Sequence, residues 1–108
     1  MTRFEETLEN YVYYIQKITN EHYTASLPSL TPPVIEIDPR GKKYKRIVKR
    51  QTSGSSRSVH SFVEVETGNV YKARGWKAPE LNHVRANIYD DESIKNGVNE
   101  YGANYIVR

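Results

Sequence analysis

The sequence contains no cysteine. That excludes a disulfide framework, thiolate catalysis and any cysteine-ligated metal, and it suits a reducing compartment. No apolar run approaches the roughly 18 residues that a membrane-spanning helix needs. The opening residues, Thr2-Arg3-Phe4-Glu5-Glu6, are acidic and lack the apolar core of a signal peptide. The cytoplasm is the expected compartment, with no membrane partner. Apolar residues are also scarce, at 37% of the chain, against about 45–50% (glycine included) in ordinary globular domains. At 108 residues a single domain over 1–108 is expected. Its core should be modest, and a homo-oligomer is one way to enlarge it. A single tryptophan and two phenylalanines stand beside nine tyrosines, so most of the aromatic surface carries a polar tip.

Groups for catalysis are equally sparse. His22, His60 and His83 lie far apart in sequence with no short His-x-His or His-x-x-x-His spacing, so a zinc site would need ligands gathered across the fold. His60 reads instead as a hydrogen-bonding residue at the edge of a core. Ser53-Gly54-Ser55-Ser56 lacks the spacing and the lysine of a phosphate-binding loop. Asp90-Asp91-Glu92 could hold a hard cation, but three carboxylates ahead of a short helix are more simply a solvated first turn. No catalytic residue, metal or cofactor is expected, and the chain reads as a non-enzyme.

Charge is where the sequence becomes informative. Arg40, Lys42, Lys43, Lys45, Arg46, Lys49, Arg50 and Arg57 place eight positive charges and no carboxylate within 18 residues. The remaining 90 residues hold 8 Lys plus Arg against 13 Asp plus Glu, a net charge of −5. An acidic frame around a basic strip attracts polyanions.

The chain opens on a helix over about residues 1–24. Thr2 and Glu5 form a Thr-x-x-Glu capping box, and Phe4, Leu8, Tyr11, Val12, Ile15, Ile18 and His22 follow the 3-4 spacing of one apolar face. Tyr13 and Tyr14 leave that face. Residues 25–33 carry three prolines and read as an extended connector. Val34 to Ile37 and Lys43 to Thr52 read as strands, separated by an Asp38-Pro39-Arg40-Gly41 turn. The flexible tip Ser53–Ser56 follows, and Arg57 to Val65 returns antiparallel.

In that returning strand Val59, Ser61, Val63 and Val65 alternate with His60, Phe62 and Glu64. Gly68 in Glu66-Thr67-Gly68-Asn69 supplies the positive φ of a hairpin loop. Val70 to Ala73 is the next strand, ended by Pro79, which has no N–H for a ladder. Trp76 is expected to close the open end of the sheet against the helix, or to offer a stacking face. Residues 82–89 read as a loop and short strand, Ser93 as the cap of a brief helix ended by Gly97 or Gly102, and Tyr105-Ile106-Val107 as a last edge strand. The fold class is α+β: an N-terminal amphipathic helix packed on a small antiparallel β-meander of three to five strands. The meander spans 34–90, and 91–108 is irregular with a short helix.

Gly68-Asn69-Val70-Tyr71-Lys72, then Trp76-Lys77-Ala78-Pro79, then Arg85-Ala86-Asn87-Ile88 resembles a signature in small uncharacterised proteins of tailed bacteriophages. Arg74-Gly75 and Glu80-Leu81-Asn82-His83 depart from that pattern. The resemblance covers roughly residues 43–90. It implies a viral source, and with it the cytoplasm of an infected host, and a shared sheet, but no chemistry.

Three readings of the basic strip stand side by side. In the first, Lys43, Lys45, Arg46, Lys49, Arg50, Arg57, Lys72, Arg74 and Lys77 neutralise the phosphates of DNA or RNA while Tyr44, Tyr71 and Trp76 offer stacking faces. In the second, lysines guard an exposed sheet edge. In the third, the strip meets an acidic protein. The expected function is therefore that of a small viral accessory protein binding nucleic acid. The alternative is a host-directed inhibitor that occupies an acidic or nucleic-acid-binding surface of a host factor.

Overall fold

The structure is a computed structural model and describes residues 2–52, 54 and 56–103. Helix α1 runs Arg3–Ser26. Its capping box forms as the sequence requires: Glu5 N–H donates to Thr2 Oγ1 at 3.1 Å, and the Thr2 hydroxyl donates to Glu5 Oε1 at 3.0 Å. Five strands follow, β1 Val34–Ile37, β2 Tyr44–Arg50, β3 Arg57–Glu64, β4 Asn69–Tyr71 and β5 Ala86–Asn87, and then helix α2 Asp91–Gly97. The strands form one antiparallel sheet in the order β1-β2-β3-β4-β5, a simple meander. The chain is an α+β fold.

Helix α1 covers one face of the sheet. Leu8, Tyr11 and Ile15 pack with Ile35, Ile47, Val63 and Val70, and Ile88, Ile94 and Val98 complete the cluster from the C-terminal part. Gln16 ties the helix to the edge strand. Its Nε2 donates to the Pro33 carbonyl at 3.0 Å and its Oε1 accepts from Ile35 N–H at 2.8 Å. This side chain takes the place of a neighbouring strand and closes part of a free edge. Tyr14 also packs against the core, contrary to expectation, whereas Tyr13 is 74% exposed. Thr19, not Ile18, is the fully buried residue of the helix's fifth turn.

Strict alternation along β3 fails at one residue. Ile47 pairs with Ser61 but Val48 pairs with Val59, so His60 is a bulge without a partner in β2. The bulge moves Val59 to the face that carries Phe62, while Ser61 and Val63 stay under the helix. His60 is buried, and its Nε2 lies 2.8 Å from the Asn99 carbonyl.

The β3–β4 turn closes with Gly68 N–H donating to the Glu64 carbonyl, and Gly68 has φ +78° as expected. The expected strand to Ala73 ends at Tyr71. Beyond it Ala73 bridges Pro79, and Arg74 N–H donates to the Ala78 carbonyl, making a flap of residues 73–79 with Trp76 at its tip. Asp90, not Ser93, caps α2, with its carboxylate accepting from the Glu92 and Ser93 N–H groups. Ser93 instead links Asn87 to the helix start. Asp91 and Glu92 are exposed in the first turn, the plain solvated arrangement. The edge strand expected at Tyr105-Ile106-Val107 lies outside the described residues.

Candidate functional site

The two faces of the sheet divide the basic strip. Strand pairing sets which face each side chain shares. Lys45 pairs with core Val63 and Lys49 with core Ile35, so both belong to the helix-covered face. Lys45 lines a hollow with Phe4, Leu8, Ile37 and Val65, and its Nζ donates to the carbonyls of Pro39 and Gly41. Lys49 Nζ donates to the Glu100 carbonyl at 2.8 Å, and burial holds its pKa below the ordinary lysine value. These two residues drop out of the expected phosphate-contacting set.

The other face carries Tyr44, Arg46, Val48, Val59, Phe62 and Tyr71. Over it the turn 38–43 and the flap 73–79 rise as two walls. Between them lies a trench of about 520 Å³, lined by Tyr44, Phe62 and Arg46 at its floor and by Arg40, Gly41, Lys42, Lys43, Trp76, Lys77 and Pro79 along its sides. None of these lining residues is acidic.

The charge inside is nonetheless partly compensated. Asp38, only 4% exposed, sits behind the trench and accepts from Arg40 Nε and Nη2 at 3.2 Å each and from Arg46 Nη1 at 2.7 Å. Hydrogen bonds from the Arg40 side chain and backbone, and then Arg46, hold its carboxyl well below the usual carboxylate range, against the opposing effect of burial. Arg50 pairs with Glu36 at 3.1 Å. The strip looked free of carboxylates because Glu36 and Asp38 precede it in sequence, and strand pairing brings them alongside. Among the described residues Lys42, Lys43, Arg57, Lys72, Arg74 and Lys77 have no carboxylate partner.

Arg46 is a fixed part of the site. Besides Asp38 it holds the flap, with Nε donating to the Trp76 carbonyl at 2.7 Å. Its guanidinium lies 5.6 Å from the centre of the Phe62 ring and 4.7 Å from that of Trp76, and Arg57 lies 5.1 Å from Trp76. Phe62, Arg46, Trp76 and Arg57 thus form a ladder of alternating rings and cations, each step a desolvated or half-exposed cation–π contact. Trp76 packs on the face opposite α1, not against the helix. Tyr44 meets Tyr71 edge to face, with centres 6.2 Å apart, and Lys43 Nζ lies 5.6 Å from the Tyr44 ring. Tyr71 is buried beneath Tyr44 and is a support rather than a contact surface.

The expected residues therefore fall into three groups. Lys43, Tyr44, Trp76 and Lys77 line the trench, Arg57 extends it, and Lys72 and Arg74 stand exposed at the flap. Arg46 and Tyr71 build it, and Arg50 is held by Glu36 outside the trench lining. Lys45 and Lys49 lie elsewhere. Asp38 and Phe62 were missed: Asp38 reads as an ordinary turn starter and Phe62 as an ordinary strand residue. Among the described residues no three of His, Cys, Asp and Glu gather to suit a metal, and no helix is long and apolar enough to cross a membrane.

The sequence profile of a family of unknown function, DUF7717, matches residues 4–103. The chain belongs to that family. The match spans α1, the whole meander and α2 and stops where the described residues do. No curated protein and no solved structure matches the chain. In this chain the residues of the Gly68–Lys72 and Arg85–Ile88 segments have visible structural work. Asn69 and Val70 pair with Asn87 and Ala86, and Asn87 Nδ2 donates to the Thr67 carbonyl and to Asn69 Oδ1.

Proposed function

We propose that this protein binds nucleic acid without catalysis, using the trench on the uncovered sheet face. The observation that carries the reading is the pairing of an aromatic floor with two walls bearing Lys42, Lys43 and Lys77, with no acidic lining residue. Cations on flexible stems suit phosphate contacts that position a strand without reading its sequence. The phage-like signature in Gly68–Lys72 and Trp76–Pro79 supports a viral accessory role in the cytoplasm of an infected host.

Fluorescence anisotropy with labelled DNA and RNA oligonucleotides tests this. Four contacts, from Lys42, Lys43, Arg57 and Lys77, give a log–log salt slope of about −3 to −4. Lys43→Glu with Lys77→Glu should abolish binding and leave the fold intact, because both side chains are exposed and bond to no carboxylate. Lys45 and Arg46 are poor choices for this test, since both serve the fold. Absence of binding to any oligonucleotide at about 50 mM salt, where such contacts are strongest, would sink the proposal. It would favour the host-directed reading, in which the same walls meet an acidic protein surface.

A further inference from the structure

We infer that the trench takes a single strand, with a base on the Tyr44 side of the floor and the flanking phosphates on the two walls. This rests on the nucleic-acid reading above. The floor lies below the charged rim: Phe62 is 3% exposed and Tyr44 half-buried, whereas Lys42, Lys43 and Lys77 are exposed. A duplex keeps its bases paired and stacked inside, and offering one to a sunken surface means unpairing it at a cost of a few kcal/mol. A duplex would meet only the rim and leave the aromatic floor unused. A single strand has no such cost, and its bases stack on rings with little regard to sequence. The trench volume of about 520 Å³ is in the range that holds a small ligand, which fits a nucleotide and excludes a double helix.

The geometry also selects the ring. Trp76 is already engaged by two guanidiniums, at 4.7 and 5.1 Å from its centre. Tyr44 is fixed from behind by the edge-to-face contact with Tyr71 and stands on the floor beside Lys43. It is an ordered platform that loses little freedom on stacking. Arg57, 5.1 Å from the Trp76 ring and exposed, ends the ladder with a guanidinium free of carboxylates, the place for the next phosphate or base along the strand.

The test uses the full chain and four probes: an oligothymidylate of eight nucleotides, a DNA hairpin of matched phosphate number, thymidine monophosphate and inorganic polyphosphate. Trp76 is the only tryptophan, so its emission reports on the flap directly, and anisotropy of labelled probes runs in parallel. The oligothymidylate should bind about tenfold or more tighter than the hairpin, the worth of one stacked base. Polyphosphate should bind no tighter than the hairpin, and the mononucleotide far more weakly than the octamer. Tyr44→Ala should lose about tenfold for the octamer, with hairpin binding unchanged, and Tyr44→Phe should retain it. Hairpin binding as tight as the octamer's would overturn the single-strand inference and leave the nucleic-acid reading standing. Mononucleotide binding as tight as the octamer's would also overturn it, in favour of a small-nucleotide site. Binding of none of the four would remove the nucleic-acid reading itself.

Discussion

At Gly68 the backbone has φ +78°, and a Cβ added there would lie 2.7 Å from Tyr89 Cε2 and 3.1 Å from Ile88 Cγ1. Both the dihedral and the space demand glycine. Gly68→Ala would put a side chain into the left-handed region, at roughly 1–2 kcal/mol, and would push the Tyr89 ring off its contact with Arg3, whose guanidinium is 4.6 Å from the ring centre. A loss of about 2 kcal/mol in urea denaturation is expected, and a change below about 0.5 kcal/mol would mean that neither constraint holds in solution. Asp38 shows the opposite kind of residue. Its place in Asp-Pro-Arg-Gly reads as a turn starter that can also pair with Arg40 in the same turn, and its larger role, anchoring Arg46 from behind, depends on β2 lying alongside. No local pattern encodes that role.

Among the elements α1 was the most legible, because helix periodicity and capping are local. Leu8 and Ile15 are 3% and 0% exposed, so Leu8→Ala and Ile15→Ala should each cost about 2–5 kcal/mol. Chemical denaturation of the two variants checks this, and near-neutral values at both would mean that the helix does not dock. The meander was legible in its order and in the Gly68 turn. The His60 bulge was not, because a single extra residue reverses the facing of everything before it while leaving β-propensity unchanged. The flap, β5 and the start of α2 were only outlined. Two-residue pairings such as Asn69 with Asn87 and Val70 with Ala86 leave almost no periodic signal, and Asn87 works through contacts 18 and 20 residues away. The candidate site was legible as composition, a basic strip with Tyr44 inside it. The division of that strip between two sheet faces follows from pairing and could not be read from residue types.

The molecule carries its open basic trench on one sheet face and a chain of buried polar groups under the other. Tyr11 Oη lies 2.8 Å from Ser61 Oγ, which lies 2.9 Å from His60 Nδ1, and His60 Nε2 is 2.8 Å from the Asn99 carbonyl. A carbonyl only accepts, so Nε2 carries the proton, Nδ1 accepts from Ser61, and Ser61 accepts from Tyr11. The chain therefore ties α1, the sheet and the turn 99–102 together in one direction. Burial pushes the His60 pKa down to about 4, against the opposing hydrogen bond to Asn99 and aided by the positive charge of Lys49. Protonating Nδ1 would also invert the donor order back to Tyr11. In the unfolded chain the imidazole titrates near its ordinary value of about 6.5. The unfolded state then binds more protons between those two values, so stability is full above about pH 6.5 and falls as pH drops through that window. Between pH 7 and 5, where most carboxylates stay ionised, wild-type protein should lose about 2 kcal/mol. In His60→Gln, whatever its starting stability, the pH dependence over the same range should be nearly flat. Urea denaturation at several pH values measures both slopes, and equal slopes would show that the buried imidazole does not set the acid limit of the fold.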